Sequence, residues 1–299
     1  MSGDGLGGAV KNTLPDRADT ALAAVLALYY RSVNLGPRAA VVMMLKQVAV
    51  IAQLTLLEAR RTHLPWTTAG IISAGLLLGE CAAGLALTDS HSYRLEIYAA
   101  STRLLMVACT ALFVATSVVR ELADRVIDLT LSRPLSRGTW LLGRLSGYGG
   151  MVCLLAMAAA LPLVFTTTPL AALVWGLSLA GELMLVAAAT LSCAIALTQV
   201  VTTVLAVAAF YLLSRSIDAI VLMSRGPTVE AGAWSSIVIE HTVSGLAMLL
   251  PALSDYTRAA WFYDASAGLA VLPALATQTV IYGVLLVAVG LFDFTRREI

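Results

Sequence analysis

Residues 169–197 read PLAALVWGLSLAGELMLVAAATLSCAIAL, a continuous apolar run in which Glu182 is the only formal charge. Crossing roughly 30 Å of hydrocarbon takes about 20 apolar residues in a helix. This run crosses with length to spare for tilt or for projection past the bilayer. Five further stretches meet the same test: residues 66–87, 99–119, 145–166, 201–223 and 269–291. Composition agrees, with 59% of 299 residues hydrophobic, 12% charged and a mean hydropathy of +0.87. Soluble domains average roughly 45–50% apolar and about 25% charged. A chain so poor in polar groups could not cover itself in water, which excludes a cytosolic enzyme, a disordered chain and a secreted disulfide scaffold. The formal charge of +1 leaves no basic footprint for nucleic acid. The expected fold is an all-α membrane protein of six spans.

Lysine and arginine placement orients the spans. With the N-terminus inside, segments 1–62, 119–144 and 292–299 carry 7, 5 and 2 basic residues, while the outer loops 88–98 and 224–268 carry 1 and 2. That asymmetry puts both termini in the cytoplasm. Trp66 and Trp175, near span ends, suit interface anchoring. The first 20 residues contain no apolar h-region, so no cleaved signal peptide is expected. Residues 1–37 read as a cytoplasmic extension with one short apolar run, ALAAVLALYY at 21–30. Residues 38–65 place Lys46, Glu58, Arg60 and Arg61 around an apolar stripe. They read as an amphipathic helix along the inner interface that turns into the membrane at His63–Pro65. Residues 236–253, with Glu240 and His241, are too short to span comfortably and read as a re-entrant or surface helix on the outer side. Residues 66–299 form the membrane domain.

Residues 119–144, VRELADRVIDLTLSRPLSRGTWLLGR, carry the most chemistry. Leu122, Val126 and Leu129 recur at i, i+4 and i+7, one apolar face of a helix. Glu121, Asp124 and Asp128 line an adjacent face, with Arg120 and Arg125 among them. Pro134 ends that helix, because the residue before proline avoids helical backbone. Gly138 permits a turn before Trp140 leads back into the membrane. The plain alternative is a solvated loop with cytoplasmic arginines, but such a loop has no need of an apolar stripe at helical spacing.

The run Arg120–Glu121, Asp124, Ile127–Asp128–Leu129, Leu131–Ser132–Arg133–Pro134, Ser136–Arg137 and Leu142–Gly143–Arg144 resembles the type 2 (ABC-2) export permeases of ATP-binding-cassette transporters. LTLLEARRTHLPW at 54–66 is similar to the amphipathic elbow before that family's first span. The resemblance extends over residues 45–299 and ends in the basic last turn FTRREI. Among its branches it looks most like permeases of multicopper-enzyme maturation and nitrous oxide reductase assembly. It implies a bacterial inner (cytoplasmic) membrane protein that exports a substrate and pairs with a second permease copy. It also implies that loop 119–144 docks into a groove on a separate, dimeric cytoplasmic ATPase. Leu122, Val126 and Leu129 would be buried there, with Glu121, Asp124, Arg125 and Asp128 pairing at the rim. Arg133 and Arg137 belong to the same docking region. The chain itself is expected to hold no cofactor or metal and to hydrolyse nothing. It has no G-x-x-x-x-G-K-[ST] loop to cradle phosphates, and Lys11 and Lys46 are its only lysines. ATP and Mg then belong to the partner ATPase.

Charge in hydrocarbon costs about 2.5–3.5 kcal/mol at a helix centre, so each intramembrane ionisable residue is a candidate. Glu182 either faces the translocation path or bonds to a neighbouring helix. Arg215 and Asp218 share a helical face in the fifth span, where they can pair with each other or serve the path. Arg103, near the outer start of the second span, is expected to snorkel to the headgroups. Gly75, Gly79 and Ala83 form a small-residue stripe that lets another helix approach closely, within the subunit or at a dimer seam. In the outer loop 224–268, Trp234, Trp261, Phe262, Tyr263, Asp255 and Arg258 suit an interfacial belt, a substrate lip or a docking face for an extracytoplasmic protein. Cys81, Cys109, Cys153 and Cys193 match no zinc spacing and read as small buried hydrophobes. His63, His91 and His241 are too separated to suggest a metal site. The alternative function is a proton-coupled secondary carrier using Glu182 and Asp218, although no inverted repeat relates spans 1–3 to spans 4–6. An intramembrane enzyme would need a nucleophile and base together, and the one adjacent pair, Glu240–His241, lies in the outer loop.

Overall fold

The computed structural model describes residues 37–86, 89–124, 137–224, 234–257, 259–262 and 265–296. Among them every regular element is helical. In chain order they are α1 (Pro37–Arg61), α2 (Leu64–Leu85), α3 (Ser90–Ala123), α4 (Arg137–Thr166), α5 (Pro169–Leu197), α6 (Val200–Ser224), α7 (Trp234–Leu249) and α8 (Ala265–Arg296). Two short 3-10 segments, Leu253–Thr257 and Ala259–Phe262, lie between α7 and α8. Seven of these helices, all but α7, are long and apolar enough to cross a membrane. Trp66 is 80% exposed, and Leu77, Phe165, Val201, Leu205 and Val284 are also exposed. Apolar side chains exposed on this scale would associate or precipitate in water. The fold is that of a multi-pass membrane protein.

α5 is the axis of the bundle. A helix that is apolar all round is buried all round, and α5 packs against α3, α4, α6 and α8. Its small residues Ala187, Ala188 and Ala189 let those neighbours close in. Chemistry sets its ends. Thr168 accepts the Ala171 N–H at 3.3 Å with Pro169 in the first turn, and Thr198 turns left-handed at φ 53° to close it. α2 folds back on α3. A Cβ on Gly79 would lie 2.9 Å from the Arg94 carbonyl oxygen, and Gly75 faces Tyr98 and Thr102. The stripe of Gly75, Gly79 and Ala83 is therefore filled by α3 of the same chain.

α1 packs mainly on α4. Gly143, Gly147 and Gly150 open a groove for it: a Cβ on each would meet Ile51 Cβ at 2.7 Å, Thr55 Cβ at 2.5 Å and Leu56 Cδ1 at 2.8 Å. These pairings advance together along both helices, so α1 runs in the same sense as α4. α3 runs opposite to α4, since Tyr98 donates to the Ala159 carbonyl at 2.7 Å and Tyr148 donates to Ser117 at 3.3 Å. α2 runs opposite to α3, with Gly79 at Arg94 and Thr67 at Cys109. Thus α1 and α2 point the same way, separated only by Thr62 and His63.

Several boundaries differ from the sequence expectation. α3 continues to Ala123 with Asp124 at its C-cap, so Glu121 and Leu122 end a long apolar helix rather than start a separate amphipathic one. α4 begins at Arg137, and Gly138 sits inside its first turn instead of making a bend. Trp140 explains the early start, because it is buried against Phe294 of α8 with ring centroids 5.7 Å apart. Cys81 and Cys153 are exposed rather than buried: on a lipid-facing surface an apolar neighbourhood does not imply burial. The N-terminal extension up to residue 36 lies outside the described residues. So do Arg125, Val126, Asp128, Leu129 and Arg133 of the loop, and Arg258 and Tyr263 of the outer segment.

Candidate functional site

Among the described residues two groups of ionisable side chains sit inside the bundle. The deeper one is built on Glu182, which α5 places at the centre of its buried length with 0% exposure. Arg103 of α3 donates from Nη1 to Glu182 Oε2 at 2.5 Å and from Nη2 to Ser178 Oγ at 3.0 Å. Its guanidinium also lies 5.3 Å above the Trp175 ring. From α6, Tyr211 donates to Glu182 Oε1 at 2.9 Å, while Arg215 Nη1 approaches the same oxygen at 3.5 Å and donates to the Tyr211 hydroxyl at 3.4 Å. Three helices are tied at one carboxylate. Desolvation of such charges is offset only where geometry is good and the remaining polar atoms are bonded, and here both carboxylate oxygens are engaged.

This geometry corrects three expectations. Arg103 does not snorkel: it is 2% exposed, because Glu182 and Ser178 on the neighbouring helix give it partners within reach. Trp175 is buried beneath that cation instead of anchoring at an interface. Arg215 pairs with Glu182 rather than with Asp218, which accepts a hydrogen bond from Ser254. The long Arg215 side chain reaches across the helix gap, and Asp218 one turn on faces the 3-10 segment.

A cleft of about 190 Å³ opens above this group, lined by Glu96, Ala99, Ala100, Arg103, Trp175, Arg215, Thr257 and Phe262. It lies toward the end of the bundle that carries the 3-10 segments. Of the outer-loop aromatics, Phe262 is thus a cleft wall and Trp261 is buried against α5 and α8, next to Val174 and Gly268.

The second group stands at the opposite end. Eighteen residues of α3 separate Arg103 from Glu121, about 27 Å at the rise of a helix. There Arg144 of α4, with a side chain only 4% exposed, donates to Glu58 Oε2 at 2.8 Å and to Thr55 Oγ1 at 3.0 Å, both on α1. Its Nε donates to Glu121 Oε2 at 3.1 Å, and Nη2 forms an ion pair with the other Glu121 oxygen. Ser117 donates to Glu58 at 2.7 Å, and the Tyr148 ring lies 5.8 Å under the guanidinium. Glu121 is therefore engaged within the chain rather than free for a partner's rim. Leu122 packs half-buried on the core, and Asp124 is exposed. Of Arg137 only the backbone is described.

The sequence reading missed Arg103, Tyr211, Arg144 and Glu58 as members of these groups. The available signal was the matching of intramembrane acids with bases at equal depth on neighbouring helices. Among the described residues no three His, Cys, Asp or Glu side chains come together in a way that could hold a metal. No protein-family model matches the chain, and no curated protein matches it significantly.

Proposed function

We propose that the chain is the permease subunit of an ATP-driven export transporter in a bacterial inner membrane. In this reading α2–α6 and α8 are six spans, α1 is the elbow, both termini are cytoplasmic, and a separate ATPase docks on loop 119–144. The observation that carries it is the Arg144 clamp. It joins α3 and α4, the two flanks of that loop, to α1 in one block, so a push on residues 125–136 is delivered to three helices together. ATP can shift such a conformational equilibrium only as far as it favours the closed state over the open one. The shared direction of α1 and α2 also supports the elbow assignment, because consecutive spans must alternate. A proton-coupled carrier is less well supported: Glu182, its best proton site, has both oxygens committed to bonds between helices.

The test is purification of the tagged chain from its native host in mild detergent. A stoichiometric soluble partner with vanadate-sensitive ATP hydrolysis is expected. The double substitution Val126→Asp, Leu129→Asp should abolish that association while leaving membrane insertion intact. A lone chain with no ATPase activity, under conditions that preserve interfaces, would overturn the assignment.

A further inference from the structure

Among the described residues the group around Glu182 is not electrically balanced. It contains two guanidiniums, Arg103 and Arg215, against one carboxylate. Arg103 is used up, with Nη1 and Nη2 both bonded and its face on Trp175. Arg215 is not. Its two contacts both run through Nη1 at 3.4–3.5 Å, its Nε and Nη2 have no protein partner among the described residues, and its side chain is 37% exposed where it lines the cleft. Among the described residues Glu96 is the one acidic side chain on the cleft wall; it forms no ion pair with either arginine and is exposed. An uncompensated cation beside a low-dielectric interior attracts an anion, and the Nε/Nη2 edge of a guanidinium presents two parallel donors to an oxyanion. Of the remaining walls Ala99, Ala100, Trp175 and Phe262 are apolar, and Thr257 adds one hydroxyl.

The geometry points to an oxyanion site in this cleft, in which Arg215 grips a phosphate-type group, either the headgroup of an amphiphile or a free anion. The volume admits one headgroup rather than a drug-sized molecule. Arg215 supplies the donors, Arg103 adds field from beneath, Trp175 and Phe262 flank the ligand's apolar part, and Glu96 opposes binding by like-charge repulsion. The site needs no ATPase, so it stands or falls independently of the transporter assignment.

The full chain is reconstituted in phosphatidylcholine nanodiscs, and its thermal unfolding is followed in two arms. One titrates inorganic phosphate against an equal ionic strength of chloride; the other replaces part of the lipid with phosphatidic acid. A ligand that binds only the folded state raises the melting temperature. A rise with phosphate identifies a soluble anion, and a rise with phosphatidic acid alone identifies a lipid headgroup; both support the site. Arg215→Gln should weaken the response at least tenfold in ligand concentration, and Glu96→Gln should strengthen it several-fold. If Arg215→Gln fails to fold, the exposed Glu96→Gln variant decides the matter by itself. No response in either arm, or a response unchanged by these substitutions, would overturn the proposal.

Discussion

At the scale of single residues, Glu182 shows what a charge in the middle of an apolar run is for. Left alone it would be costly; with Arg103 and Tyr211 it becomes the point where α3, α5 and α6 meet. Removing one member of a buried pair leaves the other uncompensated and costs about 3–5 kcal/mol, whereas replacing both by apolar groups of similar size is often neutral. Glu182→Gln is therefore expected to lower the detergent melting temperature sharply, and Arg103→Met combined with Glu182→Met should recover most of the loss. Melting curves of the two variants check this; additive losses in the double variant would mean the residues act separately. The sequence made Glu182 conspicuous because one acid interrupts a long apolar run. It did not reveal the partner, since pairing depends on depth along α3, and periodicity within one helix says nothing of the register between two. The same gap misled the reading of Arg103, whose position near a span end suggested headgroups while its actual partner lay across the bundle.

At the scale of elements, the long apolar helices were legible because they leave one strong mark, continuous apolar length. α5 was read to the residue, 169–197, since Pro169 opens it and Thr198 closes it. α3 and α4 were read short because their ends leave the apolar zone and carry charge, yet continue as helix through residues that tertiary contacts hold: Glu121 by Arg144, Trp140 by Phe294. The seam between α1 and α4 was not foreseen, although Gly143, Gly147 and Gly150 stand at helical spacing. A glycine stripe says that something approaches, not what. Gly147→Val makes the seam testable. Its side chain would overlap Thr55 Cβ and crowd the Ala52 carbonyl at 3.0 Å, and backbone cannot yield as a flexible side chain can. Overpacking of this kind costs about 1–3 kcal/mol, so a clear fall in melting temperature is expected. Gly283→Ala, on α8 with nothing within 4 Å of the added carbon, should be neutral or slightly stabilising, as alanine favours helix over glycine by about 1 kcal/mol.

For the whole molecule the proposed sense of each crossing turns on α1. By length and composition alone α1 qualifies as a seventh span, because an interfacial helix and a spanning one can share the same apolar content. Direction separates them. A chain that has crossed a bilayer must cross back, so two successive spans joined by Thr62 and His63 would form an antiparallel hairpin like that of α2 and α3. α1 instead runs with α4, as the ordered contacts of Ile51, Thr55 and Leu56 along the α4 glycines require, and α4 and α2 both run opposite to α3. Two consecutive helices pointing the same way support the proposed reading, in which α1 is the elbow and not a full crossing. Basic residues agree, since Lys46, Arg60 and Arg61 flank the same segment, and the positive side of a membrane protein is the cytoplasmic one. The consequence can be read in a chain lacking its four native cysteines. Asn34→Cys, just before α1, should resist a membrane-impermeant maleimide in intact cells and react only after permeabilisation. His91→Cys, exposed in the first turn of α3, should react in intact cells, and exposed Asp124→Cys should behave like the Asn34 variant. Labelling of Asn34→Cys from outside, with the other two as expected, would make α1 a crossing and require its packing on α4 to be reversed.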